Sequence, residues 1–171
     1  MRRHFTDKQL DECLKKLTII CDTREQVNAN VIEFFSSKKI PHVSHKLDIG
    51  DYSAMLGDLI LDYDVVCERK ANIDELCGNM TADRDRFERE FLRAKAFGVK
   101  VYLIIENCSW SDIILHNYRS KLAPKSLMAT LLSWQTRFNV SVIFCHPEET
   151  GQIIYYTLYY AAREALKNGR F

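Results

Sequence analysis

The chain has no CxxC pair, no Gly-rich phosphate loop, no Ser–His pairing and no metal-ligand spacing among its five histidines. Those absences remove the usual signatures of zinc modules, phosphate-binding loops and Ser–His nucleophilic catalysis. No apolar run approaches the length of a membrane span. The opening residues, MRRHFTDKQLDE, lead into charge rather than a hydrophobic signal core. Linkers, repeats and low-complexity segments are also missing. A surplus of one charge is absent too: 24 Lys and Arg against 23 Asp and Glu leave a formal +1, so global electrostatics advertise no polyanionic partner. Between 113 and 147, however, there is no acid at all, while Arg119, Lys121, Lys125 and Arg137 lie inside that stretch. A local basic face is therefore open.

What is present suits an ordinary globular protein. The apolar share of 47% and the charged share of 27% place the chain among folded rather than disordered sequences. A length of 171 residues is enough for one well-packed domain and short for two, so we expect a single domain over 1–171, folding alone or as a dimer. Cys13, Cys21, Cys67, Cys77, Cys108 and Cys145 mostly sit in apolar runs such as TIIC, VVC and VIFC. They read as buried thiols of a reducing compartment rather than disulfides or zinc ligands, which points to an intracellular, cytoplasmic location without membrane partners.

Hydrophobic periodicity supplies the elements. An N-terminal amphipathic helix is expected over 5–16, with Thr6 near its start and Leu10, Cys13, Leu14 and Leu17 at helical spacing. A strand over 17–21 ends at the polar DTRE and is followed by a helix over 27–39. Strands over 52–56 and 59–70 about the turn Gly57-Asp58 suggest a hairpin. Helices follow over 72–80 and 83–97, the second with Phe87, Phe91, Leu92 and Ala96 as its apolar stripe and Gly98 as its stop. VKVYLIIE, 99–106, is continuously apolar, as in a strand covered on both faces. Helices over 110–118 and 124–138, a strand over 140–145 and a tyrosine-rich helix over 148–168 complete a mixed α/β pattern with a core of about 17–146. Tyr155, Tyr156, Tyr159 and Tyr160 read as core packing plus a subunit interface more readily than as base-stacking residues.

Three polar clusters fall at strand ends: DTRE, IGDY and ERK. In a strand over 65–70, Glu68 and Lys70 point to one face and Arg69 to the other. A carboxylate and an ammonium thus share a surface. Magnesium is commonly held by one or two carboxylates plus water and substrate phosphate, so Glu68 with Asp51 suffices as an anchor. A cation there can polarise a phosphodiester and acidify water, with Lys70 orienting that water or stabilising negative charge. Asp22 can add a third carboxylate or only orient Arg24, which in turn can clamp phosphate or hold the acids.

The succession DTRE, IGDY and ERKANID, with the helix DRDRFEREFLRAKAFGVK and the strand VYLIIEN, resembles the nuclease domain of the XPF and Hef family of structure-specific endonucleases, whose hallmark is GD, a spacer, then ERKxxxD. The resemblance covers most of the chain. It implies a restriction-endonuclease-like, PD-(D/E)XK-type fold: a mixed central β-sheet flanked by helices on both faces. It further implies dependence on Mg²⁺ or Mn²⁺ and cleavage of duplex DNA near forks, flaps or branches, in repair or recombination. By motif, Asp51 and Glu68 match metal-binding acids, Lys70 the catalytic lysine, and Asp22, Arg24 and Arg69 supporting polar residues. Asp74 is expected as a helix cap or indirect partner. Many members of that family carry a tandem helix-hairpin-helix module after the nuclease domain, and none is expected within these 171 residues. Many relatives carry glutamine where Glu90 stands, so that role does not transfer.

For DNA contact the candidates are Arg86, best placed of the series Arg84, Arg86, Arg89 and Arg93, and Arg119, Lys121 and Lys125 in YRSKLAPK. Late helices of the resembled family often mediate dimers, and a homodimer is expected here through the C-terminal helix. Two other readings remain open from sequence: a non-catalytic scaffold that binds DNA or a nuclease partner, and a restriction-type or Holliday-junction-resolving nuclease.

Overall fold

The structure, a computed structural model, describes residues 5–62 and 64–169. The first helix, α1 (Asp7–Leu14), starts on a reciprocal cap in which the Thr6 hydroxyl accepts from the Gln9 N–H and the Gln9 side chain accepts from the Thr6 N–H. Its buried face, Leu10 and Leu14, leads directly into β1 (Leu17–Cys21). There follow α2 (Ala29–Ser37), β2 (His42–Ser44), β3 (Tyr52–Leu56), β4 (Leu59–Ile60) and β5 (Val65–Lys70). The chain continues through α3 (Ile73–Thr81), α4 (Arg84–Ala96), β6 (Lys100–Glu106), α5 (Trp110–Ile114), α6 (Pro124–Arg137), β7 (Val140–Cys145) and α7 (Pro147–Lys167).

The strands form one seven-stranded mixed sheet in the order β2-β1-β3-β5-β6-β7, with β4 pairing β3 off that path. β3 runs antiparallel to β1 and β5, whereas β5, β6 and β7 are mutually parallel. Successive side chains of a strand face opposite sides, and β6 shows both sides buried. Its Val101, Leu103 and Ile105 join a core with residues of α3, α4 and α6, and Ile104 joins one with residues of α1, α2 and α7. Helices therefore cover both faces of the sheet. On the second face α7 lies so close to α2 that a Cβ on Gly151 would meet the Phe34 Cβ at 2.7 Å.

Three local expectations change. The strand expected over 59–70 is broken: β4 ends at Ile60, Leu61 turns into the core, and the Asp64 and Val65 N–H groups both donate to the Leu61 carbonyl. Acids are poor strand formers, and 61–64 contains two. The helix expected over 110–118 stops at Ile114, because His116 takes a left-handed φ of 58° and the following backbone is bound elsewhere. On α4 the buried stripe is Phe87, Phe91 and Ala94, while Leu92 and Ala96 are exposed. On α7, Ile154, Leu158 and Ala162 are buried, Tyr155 and Tyr159 pack partly against the core, and Tyr156 and Tyr160 stack outside it with ring centroids 6.3 Å apart. Among the described residues no helix is long and apolar enough to cross a membrane.

Candidate active site

Gly50 and Asp51 enter β3 where three strands meet. The Asp51 N–H donates to the Cys67 carbonyl of β5 at 2.8 Å, and the Asp51 carbonyl accepts from the Asp22 N–H at the end of β1 at 2.7 Å. Gly50 makes that approach possible. It has φ +74°, and a Cβ there would stand 2.8 Å from the Val66 Cβ and 3.1 Å from the Cys67 carbonyl oxygen. The Asp51 carboxylate is held by the Arg69 N–H at 2.8 Å to Oδ2.

On β5, Val66 packs into the α3/α4 core, so Glu68 and Lys70, two and four residues on, face the same helices. The Lys70 Nζ lies 2.8 Å from Glu68 Oε1 and 3.6 Å from Glu75 Oε1, and 5.1 Å from the centroid of the Phe87 ring. Asp51, Glu68 and Lys70 together line a cavity of about 280 Å³. Its opposite wall comes from α3 and α4 through Asn79, Arg86, Phe87, Glu90 and Arg93, and Arg24 and Asp48 close the rim.

The electrostatics of this cavity are strained in one direction. Burial, then the charge of Glu68, push the Asp51 carboxyl well above its ordinary range, and the Arg69 N–H offsets this only in part. Burial also raises Glu68. Lys70 pulls it down by charge and hydrogen bond, Glu90 and Glu75 push it up, and the net direction is upward. Burial alone would lower Lys70, but the charge and hydrogen bond of Glu68 and the charge of Asp51 outweigh it and keep the ammonium protonated. Two carboxylates that resist ionising together are relieved by a cation. Their oxygen donors suit a hard divalent ion that retains several waters. Among the described residues no three His, Cys, Asp or Glu side chains converge into a ready-made metal cluster, and Asp51 and Glu68 are the acids that the strand side contributes to the cavity, beside Asp48 at the rim and Glu90 on α4.

Asp22 is buried, at 2% exposure, and its carboxylate is taken up by protein donors. Oδ1 accepts from the Arg24 N–H at 2.8 Å and Nε at 2.7 Å, and Oδ2 accepts from the Leu47 N–H at 2.5 Å and Arg24 Nη2 at 3.3 Å. Burial raises this carboxyl, but those donors outweigh it and leave it below its usual value. Asp22 is absent from the cavity wall, whereas Arg24 is part of it. Of the two roles the sequence left open for Asp22, this geometry favours orienting Arg24 over ligating metal.

Arg69, one of the supporting polar residues that the resemblance implies, stands on the other face of β5, away from the cavity, and ties the sheet to its second helical layer. Its Nε and Nη2 donate to the two carboxylate oxygens of Glu106 at 2.8 Å each, and Nη1 donates to Glu25 Oε1 at 3.0 Å and the Val27 carbonyl at 2.8 Å. Glu106 also accepts from the Thr150 hydroxyl at 2.6 Å and Asn30 Nδ2 at 3.3 Å. The side chain of Arg69 is thus a staple between β5, β6, α2 and α7, and only its backbone N–H serves Asp51.

The expected DNA-contacting residues divide. Arg86 is exposed on the cavity wall, with Asp83 3.7 Å away. Arg119, Lys121 and Lys125 lie outside that wall on an exposed segment. This segment is anchored by Asp74, whose Oδ1 accepts from the Arg119 and Ser120 N–H groups at 2.9 and 2.8 Å and whose Oδ2 lies 3.2 Å from Arg119 Nε. The acid of ERKxxxD is therefore a loop anchor, and Asn72 caps α3. The sequence does not place Asn79 or Phe87 in the site, names Arg93 only within the arginine series of α4, and gives Glu90 no role. The available signal was positional: Arg86, Glu90 and Arg93 each precede a member of the buried stripe Phe87, Phe91 and Ala94, which puts them on the flank of α4 next to the sheet.

Comparison with known proteins adds the family. Residues 21–157 match the model of the ERCC4 domain, and no curated protein matches the chain. The matched span runs from the end of β1 through the first half of α7, taking in Asp51, Glu68, Lys70 and the whole cavity wall. With its restriction-endonuclease-like fold, this chain belongs to the ERCC4-domain family, the XPF/Hef-type nucleases of DNA repair.

Proposed function

We propose that the chain is a Mg²⁺- or Mn²⁺-dependent endonuclease that hydrolyses phosphodiester bonds at forks, flaps or other branched DNA. One observation carries the reading: Asp51, Glu68 and Lys70 share one cavity, with Lys70 held 2.8 Å from Glu68. Asp51 and Glu68 are the residues that would hold the cation. When bound, it supplies Lewis-acid stabilisation of the scissile phosphate and acidifies water. Lys70, kept protonated by its carboxylate neighbours, orients the attacking water and donates to the negative charge that grows on phosphate as the new P–O bond forms and the ester P–O bond breaks. Asp22 acts through Arg24, fixing that guanidinium at the rim as a clamp for an adjacent phosphate.

Arg86 reaches a further phosphate from α4, and Arg89 and Arg93 extend a shallow groove along the same helix. Arg119, Lys121 and Lys125 add non-specific backbone contacts on the loop that Asp74 anchors. The exposed, stacked Tyr156 and Tyr160 on α7 are the place where a second copy would pack in a homodimer. Free thiols at all six cysteines accord with action inside the cell.

The test is a panel of end-labelled fork, flap, Holliday junction and plain duplex DNA, each with Mg²⁺ or Mn²⁺. The expected result is cation-dependent cleavage near the branch, lost in Glu68→Ala. A wild-type chain inert on every substrate, or cleavage that survives Glu68→Ala, would overturn the proposal. Preference for the Holliday junction over forks and flaps would make the chain a junction-resolving nuclease instead.

A further inference from the structure

The helix wall of the cavity carries two oxygen donors that the chain itself does not use. Glu90 is half-buried on α4 and lines the cavity with Glu68, yet among the described residues its carboxylate accepts no hydrogen bond and joins no ion pair. Glu88, two residues earlier, is saturated by contrast: it meets Arg84, Arg137 and the Trp134 N–H. Arg86 is directed towards Asp83 and Arg93 towards the Asp48 carbonyl, while Arg24 across the cavity feels the Glu90 charge but spends its hydrogen bonds on Asp22 and the Leu47 carbonyl. On α3, facing the same space, the buried Oδ1 of Asn79 has no hydrogen-bond partner.

Buried polar atoms are normally satisfied, so an orphan oxygen beside an unpaired carboxylate calls for a donor from outside the protein. Direct ligation of one ion by all three acids does not fit, because no three acids of the described chain converge closely enough. The cavity is large enough for several waters, about 30 Å³ each in the liquid, within its roughly 280 Å³. We propose that Glu90 and Asn79 are positioning residues for the divalent cation held by Asp51 and Glu68, accepting hydrogen bonds from the water that accompanies it on the side facing α3 and α4. Partners one step removed from a metal commonly govern both its affinity and the orientation of the groups around it. The proposal rests on the reading of Asp51 and Glu68 as the cation's ligands.

The test is calorimetric titration of the full metal-free chain with Mn²⁺, supported by water-proton relaxation of the Mn²⁺ complex. Glu90→Gln is expected to weaken Mn²⁺ binding by about tenfold or more and to change the number of exchanging waters, while Glu90→Asp retains most of the affinity. Asn79→Ala is expected to shift it in the same direction by less. Melting temperatures should be nearly unchanged, since neither side chain holds the fold together. Wild-type affinity in Glu90→Gln would overturn the inference while leaving the Asp51/Glu68 site standing. Loss of fold in Glu90→Gln would also overturn it, by making the charge structural. Absence of any Asp51-dependent Mn²⁺ binding in the wild-type chain would overturn the site reading and this inference together.

Discussion

Replacing Arg69 by methionine separates a structural staple from a catalytic group. Arg69 is 8% exposed and its main partner, Glu106, 2% exposed. Methionine keeps much of the length and apolar volume but removes all four of the donors' contacts, leaving Glu106 with Thr150 and Asn30 alone. Breaking a buried ion pair from one side costs about 3–5 kcal/mol, because the remaining charge stays buried. For a domain of this size each kcal/mol lowers Tm by about 2–4 °C, so the expected loss is roughly 6–20 °C. Replacing both buried partners, Arg69→Met with Glu106→Leu, should recover part of it, since the buried Glu106 charge is gone and only the less buried Glu25 still lacks its partner. Circular-dichroism melts at pH 7 are the assay. Their pH dependence has a fixed sign. Burial would raise the Glu106 carboxyl, but Arg69, Thr150 and Asn30 outweigh it and hold it below its usual value. The pair's contribution is therefore complete above the unfolded value of about 4.3 and is lost as pH falls through the lower folded value. The gap between wild type and Arg69→Met should narrow below about pH 4. A single variant melting within about 3 °C of wild type, or a double variant no better than the single, would refute the staple, given the same scaling.

Three other perturbations probe the site's architecture. Because burial and the Glu68 charge raise the Asp51 carboxyl in the folded state, ionised Asp51 costs stability at neutral pH. Asp51→Asn should thus raise the Tm of the metal-free chain while abolishing any Tm increase that Mn²⁺ gives the wild type. A lower Tm in Asp51→Asn would contradict this. Gly50→Ala combines a left-handed φ of 74° with a Cβ 2.8 Å from the Val66 Cβ, and should cost about 2 kcal/mol or more in denaturant titration. Asp74→Ala removes the acceptor that holds the Arg119 and Ser120 N–H groups. Trypsin should then cut at Arg119 or Lys121 faster than in wild type, with little change in Tm. Equal cleavage rates would mean that the loop needs no anchor.

What could be read from the chain alone follows the range of the interactions involved. The strands at Leu17–Cys21 and Val140–Cys145 have the bounds their apolar runs suggest, since packing against helices on both faces, complete in the first and partial in the second, writes itself into consecutive residues. The side-chain period of two was enough to set Glu68 and Lys70 on one face and Arg69 on the other. The task of Arg69 was not legible, because its partners Glu25 and Glu106 lie 44 and 37 residues away. The early end of α5 was hidden for the same reason: Asp74, 45 residues before Arg119, anchors the backbone that follows it. Asn79 carries no local mark that distinguishes it from a solvated helix residue, and Glu90 only its place beside the buried stripe of α4. They become site residues through the packing of α3 and α4 over β5 and β6.

The central claim is that Lys70 acts on the reacting phosphate in a cation-dependent site. Single-turnover cleavage of a labelled branched DNA by wild type and Lys70→Met, at saturating Mg²⁺ and matched folding, tests it most directly. Removing one donor to developing negative charge typically costs about 10²–10³ in rate, and a loss of that size with DNA binding preserved is the expected result. A Lys70→Met chain that cleaves within about threefold of wild type, far short of such a loss, would contradict the account.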